Sequence, residues 1–227
     1  MKYKYLLFDA DDTLLDFLSA EKNAFYKLLE SKNIKPTPLL LERYSDINLS
    51  LWKRFEKGIV KKEDIGFTRY YEFIKEQNLN GDAADFDSTY HTLLGLQGET
   101  FQGASDVCCE LIKRGYILFI VTNGFADTQE SRLDLSGLKP YIEQMFVSET
   151  LGVQKPQKEF FCKVFKEIGS NNLSDYLIIG DSLSSDIKGG INAGIDTCWF
   201  NSRMNEPDNG INPTYTITSL NQLLDIL

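Results

Sequence analysis

The apolar run from Tyr3 to Phe8 is followed directly by an acidic stretch, DADDT, at residues 9–13. The run predicts a buried strand, and because side chains alternate between faces along a strand, Asp9 and Asp11 project the same way from its end. Neighbouring carboxylates raise each other's pKa unless a positive charge lies between them. The stretch therefore favours a hard divalent cation such as Mg²⁺, bound through oxygen.

Two interpretations of the acidic stretch are open at this point. With a cation bound, one carboxylate can act as a nucleophile while its neighbour holds or gives a proton, as in aspartyl-phosphate chemistry. In the simpler interpretation, the acids only cap a turn. Phosphate chemistry would also need an ammonium group and backbone N–H donors around the phosphate oxygens.

Residues 17–95 show the apolar spacing of helices and no strand pattern, as in the run from Phe17 to Leu28. Breaks that fit three or four helices lie at Pro36, Pro38, Gly58 and residues 78–81. We therefore predict an all-α block that is inserted after the first strand of the chain.

From Gly103 onward, helices alternate with short buried strands. These strands are predicted at Tyr116 to Thr122, Met145 to Ser148, Tyr176 to Ile179 and Asp196 to Phe200. Such alternation indicates right-handed βαβ units and a parallel sheet with helices on both faces. The predicted fold is α/β, with a Rossmann-like core domain of residues 1–16 and 99–227 and an inserted all-α domain of residues 17–98.

Polar residues follow the predicted strands at the carboxyl ends, where sheets of this kind bind ligands. Asp9 and Asp11 end the first strand, and the loops at the same edge carry Thr122, Asn123, Gly124, Lys155, Asp181 and Asp186. Taken singly, each has a structural explanation, such as a turn at Asn123-Gly124 or a helix cap at Asp181. Their shared placement at strand ends favours a functional site.

Composition excludes several classes of partner. The net charge of −9 argues against binding along a nucleic-acid backbone, because such binding needs clustered Lys and Arg. No apolar stretch approaches the roughly 20 residues of a membrane span, and no signal peptide precedes the acids. We therefore expect a cytoplasmic protein with a small-molecule partner, no nucleic acid and no membrane.

The cysteine and histidine residues do not form a metal-binding pattern. Cys108 and Cys109 are adjacent while Cys162 and Cys198 stand alone, so there is neither a CxxC spacing nor a disulfide framework. All four are expected to be reduced thiols, mostly in the core. His91 is the only histidine, which excludes a multi-histidine zinc site and favours a place on a helix surface or in packing.

The ordered motifs DxDxT, TNG, KP and GDSxxxD resemble the haloacid-dehalogenase-like hydrolase superfamily. The resemblance implies these roles: Asp9 as nucleophile, Asp11 as general acid and base, Thr122 as phosphoryl-oxygen ligand, Lys155 as orienter of phosphate and nucleophile, and Asp181 as metal ligand. Mg²⁺ would be bound by Asp9, Asp11 and Asp181, with Asp186 supporting the metal shell. The phosphate would be bound by Thr122, Asn123, Gly124 and Lys155. The resemblance also implies that the helical insert is a type I cap.

Asp12 stands where the family's motif usually has glycine, and the stretch DDTL resembles the pyrimidine 5′-nucleotidase branch of the superfamily. The implied reaction is Mg²⁺-dependent hydrolysis of phosphate monoesters through an aspartyl-phosphate. Pyrimidine nucleoside monophosphates are the implied substrates. Asp12 itself is expected to be structural.

Other activities remain open from the sequence. A phosphoglycolate or sugar-phosphate phosphatase would use the same residues on a different leaving group. A β-phosphoglucomutase-like phosphomutase would protect the phosphoryl-enzyme from water and return the group to a sugar. A dehalogenase is disfavoured because its pattern lacks an acid at the position of Asp11, and a non-catalytic binding module is disfavoured by the intact acids together with Lys155. The oligomeric state is not determined by the sequence.

Overall fold

The computed structural model of the protein describes residues 2–207 and 210–227. Within these residues a single sheet of parallel strands has the order β3-β2-β1-β4-β5-β6. The strands are β1 Tyr5–Phe8, β2 Ile117–Thr122, β3 Ile142–Val147, β4 Tyr176–Gly180, β5 Asp196–Phe200 and β6 Tyr215–Ile217. The α/β fold class predicted from the sequence is confirmed.

Helices connect the strands. They are α1 Phe17–Ser31, α2 Pro38–Glu56, α3 Lys62–Glu76, α4 Ala83–Gly95, α5 Ala104–Lys113, α6 Ala126–Ser136, α7 Ser148–Leu151, α8 Lys158–Ile168, α9 Lys188–Ala193 and α10 Leu223–Ile226. A π-helical turn, Leu183–Ile187, lies between β4 and α9. None of the helices in the described part of the chain combines the length and the apolarity that crossing a bilayer requires.

The central strand β1 is buried along its whole length because helices cover both faces of the sheet. Leu6 and Phe8 pack on one face in a core that α5 and α10 complete, while Tyr5 and Leu7 pack on the other face with α8 and α9. Side-chain alternation along the strand produces this division. Burial on both faces explains why the sequence shows a continuous apolar run instead of an alternating pattern.

The two edge strands differ from the sequence prediction. β3 begins at Ile142 and not at Met145, because the exposed Glu143 and Gln144 interrupt its apolar pattern. β6, Tyr215–Ile217, is absent from the prediction, since three residues show too little periodicity to identify a strand. Edge strands have fewer buried positions, so their sequence signal is weaker than that of the central strands.

The chain divides into two compact units. One comprises the chain up to Phe17 together with Gly98–Leu227, and the other comprises Leu18–Gln97. The segments on either side of the second unit pair with each other, since the Asp16 N–H donates to the Glu99 carbonyl at 2.9 Å. The chain therefore leaves the sheet-containing unit and returns to it at adjacent points. A role of the helical unit as a cap stays a prediction.

Aromatic residues form the core of the helical unit. Phe25 and Tyr44 stack with their ring centroids 4.3 Å apart. The buried Arg69 guanidinium lies 4.8 Å from the ring centroid of Tyr90 and forms an ion pair with Asp87 at 2.8 Å. These interactions hold the four helices together without requiring a ligand.

All four cysteines are free thiols. Cys108 and Cys198 are buried, whereas Cys109 is partly exposed and Cys162 is exposed on α8. The core therefore contains two of the four, which is fewer than the sequence prediction assigned to it.

A hydrogen-bonded cluster joins the amino ends of β1, β5 and β6. Tyr3 precedes β1. Its hydroxyl donates to the Asp196 carboxylate at 2.5 Å and lies 3.1 Å from the Tyr215 hydroxyl. This hydrogen bond from Tyr3, assisted by Lys2, lowers the pKa of Asp196 below its ordinary value. The cluster ties the start of the chain to the edge of the sheet.

We predict that Tyr3→Phe lowers the free energy of unfolding by about 1 kcal/mol at neutral pH, because a hydrogen bond to a partly exposed carboxylate is lost. The folded pKa of Asp196 is depressed, so this stabilisation is present above its unfolded pKa of about 4 and is lost as the pH falls through the folded pKa. Urea unfolding of both proteins at several pH values measures the difference. Tyr141→Phe is the matched control, because the described residues show no hydrogen bond for that hydroxyl. Equal stabilities of Tyr3→Phe and the unaltered protein at neutral pH would contradict the prediction.

Candidate active site

The carboxyl ends of three adjacent strands position the candidate site. β1 lies between β2 and β4, and Phe8 is in register with Ile120 on one side and with Ile179 on the other. The Asp9 N–H donates to the Ile179 carbonyl at 2.8 Å, which fixes the backbone just beyond β1. Strands β2 and β3 follow on one side of β1 and strands β4 to β6 on the other, so the strand order reverses beside β1. Such switch points are where open parallel sheets bind ligands.

Lys155 lies at the centre of the site and is 2% exposed. Its ammonium group donates to Asp9 Oδ1 at 2.6 Å, to Asp186 Oδ1 at 2.7 Å and to the Val121 carbonyl at 2.7 Å. An ammonium has three N–H donors, so all of them are used. The structure thus places Lys155 beside Asp9.

Asn123 fixes the loop that carries Lys155. Its side-chain amide donates to the Lys155 carbonyl at 3.0 Å and accepts from the Lys155 N–H at 3.0 Å. This two-way hydrogen bond joins the loop after β2 to the loop before α8. The Asn123 side chain therefore has a structural role that the sequence pattern did not indicate.

The acids Asp9, Asp181 and Asp186 form a cluster in which one oxygen of each lies within 4.8 Å of the others. Asp186 is completely buried on the π-helical turn, and the Ser182 N–H donates to its second oxygen at 3.1 Å. A Cβ on Gly180 would lie 2.3 Å from Asp186 Oδ2, so a glycine at this position allows the carboxylate to approach the end of β4.

Burial and neighbouring carboxylates shift the pKa values of the ionisable groups in the site. Burial raises the pKa of Asp9 to about 8; the Lys155 ammonium opposes this rise, and Asp186 and Asp11 add to it. Burial also raises the pKa of Asp181 well above its ordinary value, and Asp186 and Asp9 act in the same direction. Although burial disfavours the charged form of Lys155, Asp186 and Asp9 hold its pKa above the ordinary value.

The donor set fits a hard divalent cation. Lys155 forms ion pairs with Asp9 and Asp186, and the Asp181 carboxylate lies beside these two acids, so a further positive charge would stabilise the ionised forms of all three. All three donors are oxygens, which Mg²⁺ prefers over the sulfur and nitrogen ligands typical of zinc. The site as built is therefore suited to Mg²⁺.

Asp11 has a different environment from Asp9. One oxygen of its carboxylate forms an ion pair with Arg132, and the other accepts a hydrogen bond from the Gln129 side-chain amide at 2.8 Å. The sequence prediction grouped Asp9, Asp11 and Asp181 as metal ligands with Asp186 behind them. In the structure the carboxylate cluster comprises Asp9, Asp181 and Asp186, while both oxygens of the Asp11 carboxylate contact Gln129 and Arg132. The assignment of Asp11 as a metal ligand stays a prediction.

Thr122 ends β2 and is 1% exposed. Its hydroxyl oxygen accepts from the Gly124 N–H at 3.0 Å and from the Gln129 side-chain amide at 3.1 Å. A Cβ on Gly124 would lie 2.7 Å from the Gln129 side chain, so only glycine fits there without movement. The two accepted hydrogen bonds leave the Thr122 proton as the group that can donate to a ligand.

Asp12 adopts the left-handed backbone conformation, with φ 56°. Glycine reaches this conformation without cost and aspartate is among the few other residues that tolerate it, which explains how Asp12 can replace the family's glycine. Its carboxylate forms an ion pair with Arg203 at 2.8 Å. Arg203 lies in the loop after β5.

Sequence reasoning missed Gln129, Arg132 and Arg203. The first two lie three residues apart on α6, so they face the same side of the helix that follows the TNG motif, and that spacing is a signal that could have identified them. Arg203 lies in an irregular loop and has no comparable local signal.

Comparisons with known proteins identify the family of the chain. The family model described as haloacid dehalogenase-like hydrolase matches residues 3–194. The chain is 40% identical to pyrimidine 5′-nucleotidase PynA of Streptococcus pneumoniae, covering 100% of this chain and 96% of that protein. It is 30% identical to pyrimidine 5′-nucleotidase YjjG of Escherichia coli, covering 100% and 99%.

A solved structure extends the similarity to three dimensions. The crystal structure of the HAD-hydrolase YfnB from Bacillus subtilis, with magnesium bound, superimposes with a TM-score of 0.94 at 42% identity and covers 100% of this chain and 99% of that one. The motifs, the fold and these matches lead to one conclusion. The chain belongs to the haloacid dehalogenase-like hydrolase family.

Proposed function

We propose that the protein is a Mg²⁺-dependent phosphatase that hydrolyses phosphate monoesters through an aspartyl-phosphate on Asp9, with pyrimidine nucleoside 5′-monophosphates as substrates. The observation that carries this proposal is the buried Lys155 ammonium, which lies 2.6 Å from Asp9 within a cluster of carboxylates. A carboxylate nucleophile for phosphorus needs positive charge around it, because both it and the substrate are anions.

Asp9 acts as the nucleophile in this mechanism. Lys155 holds Asp9 Oδ1, so the carboxylate has a fixed orientation. An Asp9 oxygen forms a bond to phosphorus while the ester bond to the leaving alcohol breaks, which gives the aspartyl-phosphate. Asp11 gives a proton to the departing alcohol oxygen and then takes one from the attacking water. Attack of that water on phosphorus releases inorganic phosphate and regenerates Asp9.

The phosphate would be held by donors at the end of β2. The Thr122 proton is available because its oxygen already accepts two hydrogen bonds. Backbone N–H groups of the Asn123-Gly124 turn and the positive charge of Lys155 complete the proposed set. Asp9, Asp181 and Asp186 would hold Mg²⁺, which supplies charge neutralisation for the phosphate when it is bound.

Relatives support the finer parts of the proposal. The two relatives named pyrimidine 5′-nucleotidase align over the whole of this chain, including the segment that forms the helical unit. The structure of YfnB with magnesium bound supports the choice of metal and is described as revealing interdomain movement. We therefore also propose that the helical unit, Leu18–Gln97, acts as a cap that excludes bulk water during the first chemical step.

We predict that chelation abolishes turnover and that Mg²⁺ restores it, because the carboxylate cluster requires added positive charge to stay ionised. Phosphate release in excess EDTA, and again after addition of Mg²⁺, measures the effect. Full activity in EDTA together with the absence of bound metal by elemental analysis would contradict the assignment of these acids.

We predict that Asp9→Asn lowers kcat by on the order of a thousandfold or more, since a neutral amide cannot form the covalent intermediate. The Asp11→Asn variant should also have a much lower kcat, because an amide cannot exchange protons with the alcohol or with water. Asp12→Gly is the matched control within the same loop, and the left-handed backbone at that position predicts substantial remaining activity. Mass-spectrometric trapping of a phosphorylated residue other than Asp9 would refute the mechanism.

A screen of phosphate monoesters tests the substrate class. We predict that kcat/KM for UMP, dUMP or dTMP exceeds that for phosphoglycolate and hexose phosphates by at least about tenfold, or about 1.4 kcal/mol of differential transition-state binding. A reversed ranking would remove the nucleotidase proposal while leaving the phosphatase proposal intact. Stoichiometric phosphate release without a bisphosphate activator would exclude a phosphomutase.

A further inference from the structure

Both oxygens of the Asp11 carboxylate are held by side chains from α6. Gln129 and Arg132 are 2% and 0% exposed, whereas the Asp11 side chain is 29% exposed, so two buried side chains hold a carboxylate that solvent can partly reach. A carboxylate held at both oxygens has little freedom to rotate. The nucleophile Asp9 is not contacted by this pair and is oriented by Lys155.

Gln129 uses its side-chain amide completely on this network. One N–H donates to Asp11 Oδ2 at 2.8 Å and the other to the Thr122 hydroxyl oxygen at 3.1 Å. The amide oxygen accepts from Arg132 Nη1 at 3.2 Å. This pattern fixes which way the amide faces, because an amide turned by 180° would place its oxygen against the Asp11 carboxylate.

Arg132 is costly to bury unless its charge is compensated. Its ion pair with Asp11 supplies an opposite charge. The guanidinium carbon also lies 5.8 Å from the ring centroid of Phe17, a residue of the same compact unit. The same Nη1 atom contacts Asp11 and Gln129, so the arginine links the two.

We propose that Gln129 and Arg132 are positioning residues that hold the Asp11 carboxyl in a fixed position relative to the Thr122 hydroxyl. Each Asp11 oxygen keeps a second lone pair that does not face Gln129 or Arg132, and a proton held there is directed at the ester oxygen of the phosphate that Thr122 binds. The inference rests on the proposed phosphatase function and deepens it. In the first step the Asp11 proton moves to the ester oxygen as the phosphorus–oxygen bond breaks, and the bonding electrons remain on that oxygen.

A positioning role has a consequence that depends on the leaving group. An alkyl alcohol is a poor leaving group without a proton, whereas p-nitrophenolate leaves readily as an anion. Disturbing Asp11 should therefore slow the formation of the aspartyl-phosphate from an alkyl phosphate more than its formation from p-nitrophenyl phosphate. A general loss of packing around Thr122 would slow both substrates equally.

The test uses the full chain with Mg²⁺, p-nitrophenyl phosphate and the alkyl monoester that ranks first in the screen. The variants are Gln129→Leu and Arg132→Lys, with Asp11→Asn as the reference for complete loss of proton transfer. Glu130→Gln is the matched control, because Glu130 lies on the exposed side of the same helix. Gln129→Leu removes no charge and keeps the test decisive if Arg132→Lys does not fold.

We expect both variants to lower kcat/KM for the alkyl monoester at least about tenfold and kcat/KM for p-nitrophenyl phosphate less than about threefold. The ratio kcat/KM reports the steps through departure of the alcohol, so it excludes hydrolysis of the aspartyl-phosphate, in which Asp11 also takes part. Glu130→Gln should match the unaltered enzyme on both substrates. Equal losses on the two substrates, or no loss on either, would overturn the positioning role alone. Failure of the unaltered enzyme to release phosphate from any monoester would overturn the proposed function, and this inference with it.

Discussion

The buried ammonium of Lys155 is the interaction on which the candidate site depends. It satisfies one oxygen each of Asp9 and Asp186 as well as the Val121 carbonyl at the end of β2. Without this charge, the carboxylates would be buried next to each other with no compensation, which is strongly unfavourable. The lysine therefore stabilises the buried carboxylates, and it joins the end of β2 to the segments that follow β1 and β4.

The two acids of the DxD motif are separated by environment and not by distance along the chain. Asp9 lies with Lys155 and the other carboxylates, and burial raises its pKa to about 8. Asp11 is held by Gln129 and Arg132. Different surroundings allow two carboxylates in one site to take different roles, one as a nucleophile and one in proton transfer.

Parallel strand order explains how distant segments supply one site. Asp9 and Lys155 are 146 residues apart in the chain, yet they are in direct contact. Every strand of the sheet runs in the same direction, so each strand's following loop lies at the same edge. Glycines at the ends of β2 and β4 then allow the side chains of Gln129 and Asp186 to approach the backbone closely.

The sequence by itself determined the α/β class, the central strands and the family, because these depend on local periodicity and on ordered motifs at strand ends. It did not determine the edge strand β6, the place of Asp186 within the acidic cluster, or the partners of Asp11 and Asp12. Those features depend on which side chains meet across segments far apart in the chain, such as Gln129 and Asp11, which are 118 residues apart. Periodicity specifies which face of an element is buried, but only tertiary packing decides which buried polar groups contact each other.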